Sequence, residues 1–351
     1  MLRVVNSILF YYYFNLLAVI VYPFILVKSL FANNDLDFFS SLFKFLITIL
    51  PLLFFFGVLC IKYNFIFSGY LLVFYFGGYL FYIYFKENNV EIDFESVLLV
   101  LSILTIIEAL AINTIILPSD LPNWPLSAED TILYGHTSRG GIHFGDFYYI
   151  RPIGFGGNSS ITASLLLSIM IFNQNNQNNE SLIKRLTSIF AILVLYSGVG
   201  YIFLCVYFAV LLKNFYVPIL ILASILLFGT FANIQKLDYE YFQFIIGDIF
   251  YNTLWILQSI NIQEFFFGQL IPFESPIGGD FYWLYFFQWF GILGVIFYFL
   301  IIMSNSNRVN FLPIMLLVIS SLHYHTIFSV PGQMIFGYLL AGANIDKIKP
   351  T

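Results

Sequence analysis

The chain is short of charge. Of its 351 residues only 9% are Asp, Glu, Lys or Arg, 14 basic against 19 acidic. A soluble globular domain carries about a quarter charged residues, so that class is excluded. The net charge of −5 offers no footprint for nucleic acid. Two cysteines, Cys60 and Cys205, both in apolar runs, exclude a disulfide framework and read as packing residues. No hydrophilic stretch exceeds about 50 residues, so no separate soluble domain is expected. Segments of about 10 residues alternating in polarity are absent, which excludes a membrane β-barrel. The apolar N-terminal segment has no small-residue cleavage site and reads as a first span, not a signal peptide.

What is present is grease. Hydrophobic residues make up 60% of the chain, in repeated runs of about 20, the length that crosses a bilayer core of about 30 Å. The sequence predicts an all-α polytopic membrane protein, a single transmembrane domain over 1–351. Candidate spans are 4–27, 39–60, 64–85, 96–117, 159–173, 186–197, 199–213, 216–233, 281–303 and 311–329, with a short one at 331–345. Two polar stretches, 118–158 and 234–280, separate them. Lysine and arginine in short loops mark the cytoplasmic side. Lys184, Arg185, Lys213, Arg308, Lys347 and Lys349 agree on one orientation if 186–213 is a hairpin turning at "YSGVG". Both polar stretches, and the N-terminus, then face outward. No inverted repeat relates the halves, which counts against a secondary transporter.

The first outer stretch holds no lysine, two arginines (Arg139, Arg151) and two histidines (His136, His143). In "YIRPIGFGGNSS", Arg151 precedes Gly154, Gly156, Gly157 and Asn158, just before a helix start near Ser159. A guanidinium fork, close backbone amides and a helix N-terminus together suit a phosphate. A structural arginine paired with a carboxylate such as Asp146 is the plainer alternative. In "SSLHYHTIFSVPGQ", His323 and His325 lie near the outer end of the 311–329 span, and an ionisable group there marks function. Residues i and i+2 diverge on a helix, so both cannot face one cavity unless it breaks, and a metal site is not expected. Asp280, before the 281–303 span with its Gly291 and Gly294, is a helix cap or an orienting acid, as are Glu274 and Glu264. Glu108, inside a span, either bonds a neighbouring helix or belongs to the cavity. Asp35 and Asp37 form a D-x-D of the kind that chance supplies. Trp124, Tyr148 and Tyr149 are aromatics suited to stacking on sugars.

"RPIGFGGNSSITASLLL", "GGDFYWLYFFQWFGILGVIFYFLI" and "SSLHYHTIFSVPGQMIFGYLLA" together resemble segments of the Wzy-type O-antigen polymerases and the related O-antigen ligases. The turn "YSGVG" resembles the place where that superfamily often has "T-x-S-R", but lacks its arginine; Arg139 is the candidate substitute. The resemblance covers 118–345. It implies a GT-C-like fold of about 10–12 spans and metal-independent, inverting glycosyl transfer without a cofactor. The partners implied are undecaprenyl-diphosphate-linked glycans as donor and acceptor, at the outer face of a bacterial inner membrane, with a chain-length regulator protein. Arg151 and Arg139, with Gly156, Gly157 and Asn158, would hold the diphosphate. His323 or His325 would be the base, and Asp280 would orient it or the acceptor. An O-antigen ligase and a lipid-linked glycan flippase are the alternatives.

Overall fold

A computed structural model of the chain describes residues 38–88, 92–114, 141–144, 147–176, 181–212, 258–268 and 282–342, with single positions between 216 and 254. The described elements are the helices α1 (Phe38–Lys62), α2 (Phe65–Asn88) and α3 (Phe94–Thr114), then strands β1 (Gly141–Phe144) and β2 (Phe147–Ile150). Helices α4 (Ser159–Asn176), α5 (Leu182–Leu195), α6 (Gly198–Leu212), α7 (Ile262–Phe267), α8 (Tyr282–Asn305), α9 (Phe311–Ser320) and α10 (Val330–Ala341) follow. The expected span at 4–27 lies outside the described residues, as does most of 216–233. Within the first outer stretch, the sequence reading had no regular structure; the chain forms an antiparallel hairpin there, Gly141 opposite Ile150. The described residues fall into two compact units, one from 92–243 and one from 38–91 with 244–342.

In the first unit, the outer helices expose apolar side chains and turn their few polar ones inward, among buried apolar neighbours. Helix α3 turns Leu98, Ser102, Thr105 and Glu108 inward and exposes Val100, Ile103, Leu104 and Ile107. Helix α5 does the same, burying Ser188 and Ala191 and exposing Ile183, Leu186 and Phe190. The inward hydroxyls meet: Ser102 Oγ donates to Ser188 Oγ at 3.0 Å. Such a pattern suits a lipid surround, where the outer face needs no water and the inner polar groups must find each other. Helix α4 is the post at the centre, buried at every residue from Ser159 to Asn173. Its 18 residues span about 27 Å, more than the 159–173 run suggested. The hairpin expected at "YSGVG" forms. Helix α5 ends at Tyr196, whose left-handed backbone (φ 46°, ψ 55°) turns the chain, and α6 starts at Gly198. Both pack on α4, and Ser197 Oγ donates to Ser160 Oγ at 2.8 Å.

In the second unit, α10 lies along α2, with Gly337 against Gly78 and Tyr82. Among the described residues, three helices are long and apolar enough to cross a membrane: Phe65–Asn88, Phe94–Ala111 and Tyr282–Asn305. The third is not one rod. At Gly291 the backbone takes φ 63°, ψ −166°, and the chain folds back. The rings of Phe286 and Tyr298 touch at 5.2 Å between centroids, where a straight helix would part residues so spaced by about 18 Å. Gly294 lies directly beneath Phe286 in the fold. A spaced glycine pair such as Gly291 and Gly294 is expected to let spans pack closely; Gly291 instead reverses the chain.

The expected span 311–329 is also corrected. Helix α9 stops at Ser320, a 3-10 turn occupies Thr326–Phe328, and α10 starts at Val330. At 10 and 12 residues, the two helices cover about 15 and 18 Å, too short for a crossing. They run antiparallel: the Asn310 side-chain amide, before α9, donates to Leu339 O near the end of α10 at 2.7 Å. The turn between them reaches only the middle of α2, where Gln333 Nε2 donates to Phe74 O at 2.7 Å.

Candidate functional site

The arginine–glycine turn of the first unit is built around Glu108. Its carboxylate accepts from two successive amides, Ile153 N at 3.2 Å and Gly154 N at 2.8 Å. Consecutive amides converging on one anion make a small nest, and Gly154 (φ 63°) supplies the backbone turn that aims them. Thr162, from the first turn of α4, closes the ring: its hydroxyl donates to Ile153 O at 2.6 Å and accepts from Gly156 N at 3.0 Å. Gly157 N donates to Gly154 O, and Asn158 Oδ1 accepts from Ser160 N, capping α4. The amides of Gly154, Gly156 and Gly157 thus all meet acceptors from the chain itself.

Arg151 is buried, 6% exposed, at the C-terminal end of α5. Its Nη1 donates to Tyr196 O at 3.4 Å, where a cation complements the negative end of the helix. Tyr149 donates its hydroxyl to Val194 O, and Tyr201 donates to Leu193 O at 3.2 Å. Burial, with Glu108 adding to it and Arg151 opposing, pushes the Tyr149 hydroxyl up to about 12. The bonds Glu108 makes here are to the turn before α4, not to the neighbouring helix named as one of its two readings. Tyr149, expected to stack on sugars, instead bonds a carbonyl 45 positions along the chain, a pairing no local pattern shows. Arg139, His136, Asp146 and Trp124 lie outside the described residues.

In the second unit, the break after α9 frees both histidines from helical geometry, the condition under which both could serve one cavity. His325 is buried, 6% exposed, with its ring 4.9 Å from that of Tyr282. Its carbonyl accepts from Phe328 N and Ser329 N, starting the 3-10 turn. His323 is half-buried against Tyr324, 4.2 Å between rings. Hydroxyls stabilise the irregular backbone. Ser321 Oγ accepts from Ile327 N, Ser320 and Thr326 share a 2.7 Å bond, and Ser329 Oγ accepts from Gly332 N to cap α10. Non-helical backbone at membrane depth is tolerated only when protein satisfies it in this way. Trp283 Nε1 donates to Val318 O at 3.0 Å, tying α8 to the last turn of α9.

Asp280 and Glu274 lie outside the described residues. Glu264 is the third residue of α7, in a capping box with Asn261, a structural duty. Lys62 donates to Phe267 O at 2.7 Å and Gly268 O at 3.0 Å at the other end of α7. Both cysteines are free. Among the described residues no three His, Cys, Asp or Glu side chains gather where they could hold a metal ion. No protein-family model matches the chain, and neither a curated protein nor a solved structure shows significant similarity to it. The class that fold and composition define is an α-helical protein with helices long and apolar enough to span a membrane.

Proposed function

We propose that the chain is a membrane polysaccharide polymerase of the Wzy type, with a GT-C-like fold of about 10–12 spans in a bacterial inner membrane. It would join glycan repeat units carried on undecaprenyl diphosphate. Basic residues support the orientation. In the first unit, Lys184 pairs with Glu95 at the opposite end of α3 from Glu108 and the arginine turn. That lysine end would be cytoplasmic and the arginine end periplasmic. In the second unit, Lys86 bonds Tyr82, which bonds Asn305 close to Arg308, forming the cytoplasmic end.

The observation that carries the reading is the break at 321–329. The segment whose sequence resembles the polymerases' histidine segment is a non-helical turn between two short helices, held by its own hydroxyls. In the proposed reaction an acceptor hydroxyl attacks the anomeric carbon, the carbon–oxygen bond to diphosphate breaks, and the configuration inverts. The hydroxyl's proton passes to His325, the more buried of the two, whose ring packs on Tyr282 from another helix. The diphosphate gains charge as it leaves, and Arg151 would stabilise it. Arg139 and Asp280 keep the roles the resemblance implies, assisting the leaving group and orienting the acceptor.

The test is reconstitution with a synthetic undecaprenyl-diphosphate repeat unit. A ladder of products is expected from wild type, lost in Arg151→Ala and His325→Ala and retained in part by His323→Ala. Product formed only on adding lipid A–core would make the chain a ligase. Movement of the lipid-linked unit without a new glycosidic bond would make it a flippase.

A further inference from the structure

Glu108 is the only acid described in the interior of a candidate span, and the proposed reaction gives it no task. Its two oxygens meet the amides of Ile153 and Gly154 separately, while Thr162 takes the Ile153 carbonyl from the other side at 2.6 Å. Ile153 is thus pinned through both its N–H and its C=O. Between it and Arg151 stands only Pro152, whose ring fixes its own φ. Few free torsions remain between the pinned residue and the arginine, so the direction in which Arg151 leaves the backbone is set by this clamp.

We infer that Glu108 is the positioning residue of the arginine turn, bracing the Ile153 and Gly154 amides so that Arg151 is presented to the diphosphate. The inference rests on the proposed phosphate role of Arg151. It explains why an acid is kept in an apolar helix: a carboxylate gives each of the two amides an oxygen of its own. A glutamine at 108 would offer one acceptor and one N–H₂ group, setting donor against donor at one amide. A buried amide left without an acceptor bears the whole desolvation penalty. Aspartate keeps both acceptors but is one methylene short.

The experiment uses the full chain in lipid nanodiscs, with farnesyl diphosphate as the probe. It compares wild type, Glu108→Gln and Glu108→Asp by probe affinity and by hydrogen exchange in the peptides covering 151–158 and 159–173. Expected for Glu108→Gln is faster exchange in 151–158, unchanged exchange in the buried helix 159–173, and affinity weaker by about tenfold. Glu108→Asp should fall between in both. If Glu108→Gln binds the probe like wild type, or if 159–173 opens as much as 151–158, the positioning role is overturned in favour of general structural support. If wild type binds no prenyl diphosphate while exchange in 151–158 still responds to Glu108, the phosphate reading of Arg151 falls and Glu108 remains only a brace.

Discussion

Asn310 and Leu339, 29 residues apart, are joined by a 2.7 Å hydrogen bond from the asparagine amide to the leucine carbonyl. The same amide reaches Asn305 O at 3.1 Å, and the side-chain oxygen accepts from Asn307 N. One fully buried side chain thus fastens the end of α8, the start of α9 and the end of α10. Asn310→Ala should lower stability by about 2 kcal/mol, because one buried and one part-buried carbonyl lose a donor. Asn310→Asp should be at least as harmful despite its shape, since it sets a carboxylate against those carbonyls. Thermal unfolding in detergent, followed by tryptophan fluorescence, gives the ranking; an aspartate variant as stable as wild type would refute the clasp.

The reversal at Gly291 makes a second prediction. A Cβ there would lie 2.3 Å from Phe266 O, and the backbone is left-handed. Gly291→Ala should cost at least about 2 kcal/mol from strain and overlap together. If α8 were one straight crossing, an alanine at this point would be mild. A cysteine pair replacing Phe286 and Tyr298 should be bridged by a short bifunctional thiol reagent, which could not span the about 18 Å of a straight helix.

Helices α2 and α10 allow a graded test. A Cβ on Gly337 meets Phe81 Cβ at 2.6 Å and backbone atoms of Gly78 and Tyr82 at 2.7 Å, whereas one on Gly78 meets the Phe336 ring at 2.8 Å. Rings can turn aside and backbone cannot. Gly337→Ala should therefore destabilise by about 2–3 kcal/mol and Gly78→Ala by less. Equal losses in the two variants would argue against this packing.

Tyr149 links the arginine turn to pH. Its hydroxyl is pushed up from 10.0 to about 12 by burial, with Glu108 adding and Arg151 opposing. A raised pKa means the neutral phenol is favoured in the folded state. Its contribution is complete below about pH 10 and is lost as pH rises toward 12. Tyr149→Phe should thus be less stable than wild type at pH 8, having lost the bond to Val194 O, and the gap should narrow at pH 11–12. Stability curves over that range decide it; a constant gap would place the phenol's ionisation elsewhere.

The helices were legible because length and hydropathy are local: 39–60, 64–85, 96–117 and the pair around "YSGVG" lie within a few residues of α1, α2, α3, α5 and α6. Two errors have one cause. Gly291 and the stretch from Ser320 to Ser329 both lie within apolar runs, and hydropathy measures how greasy a run is, not whether it is straight. The clue to the second was present in the density of small hydroxyls, Ser320, Ser321, Thr326 and Ser329, ahead of Pro331. Such residues offer the backbone partners outside a helix. Glu108 stood out as an acid among apolar neighbours, yet its partners lie 45 and 46 residues away, and no pattern along the chain points to them.

Helix α4 has no free side from Ser159 to Asn173, and so touches no lipid over that length. Thinning or thickening the bilayer acts on the exposed leucines and isoleucines of α3 and α5, which can tilt to match. The enclosed helix answers only to its neighbours. Thr162, which locks the arginine turn, is part of it. The turn is therefore anchored to a stretch enclosed by protein, and its geometry should hold across lipids of different chain length.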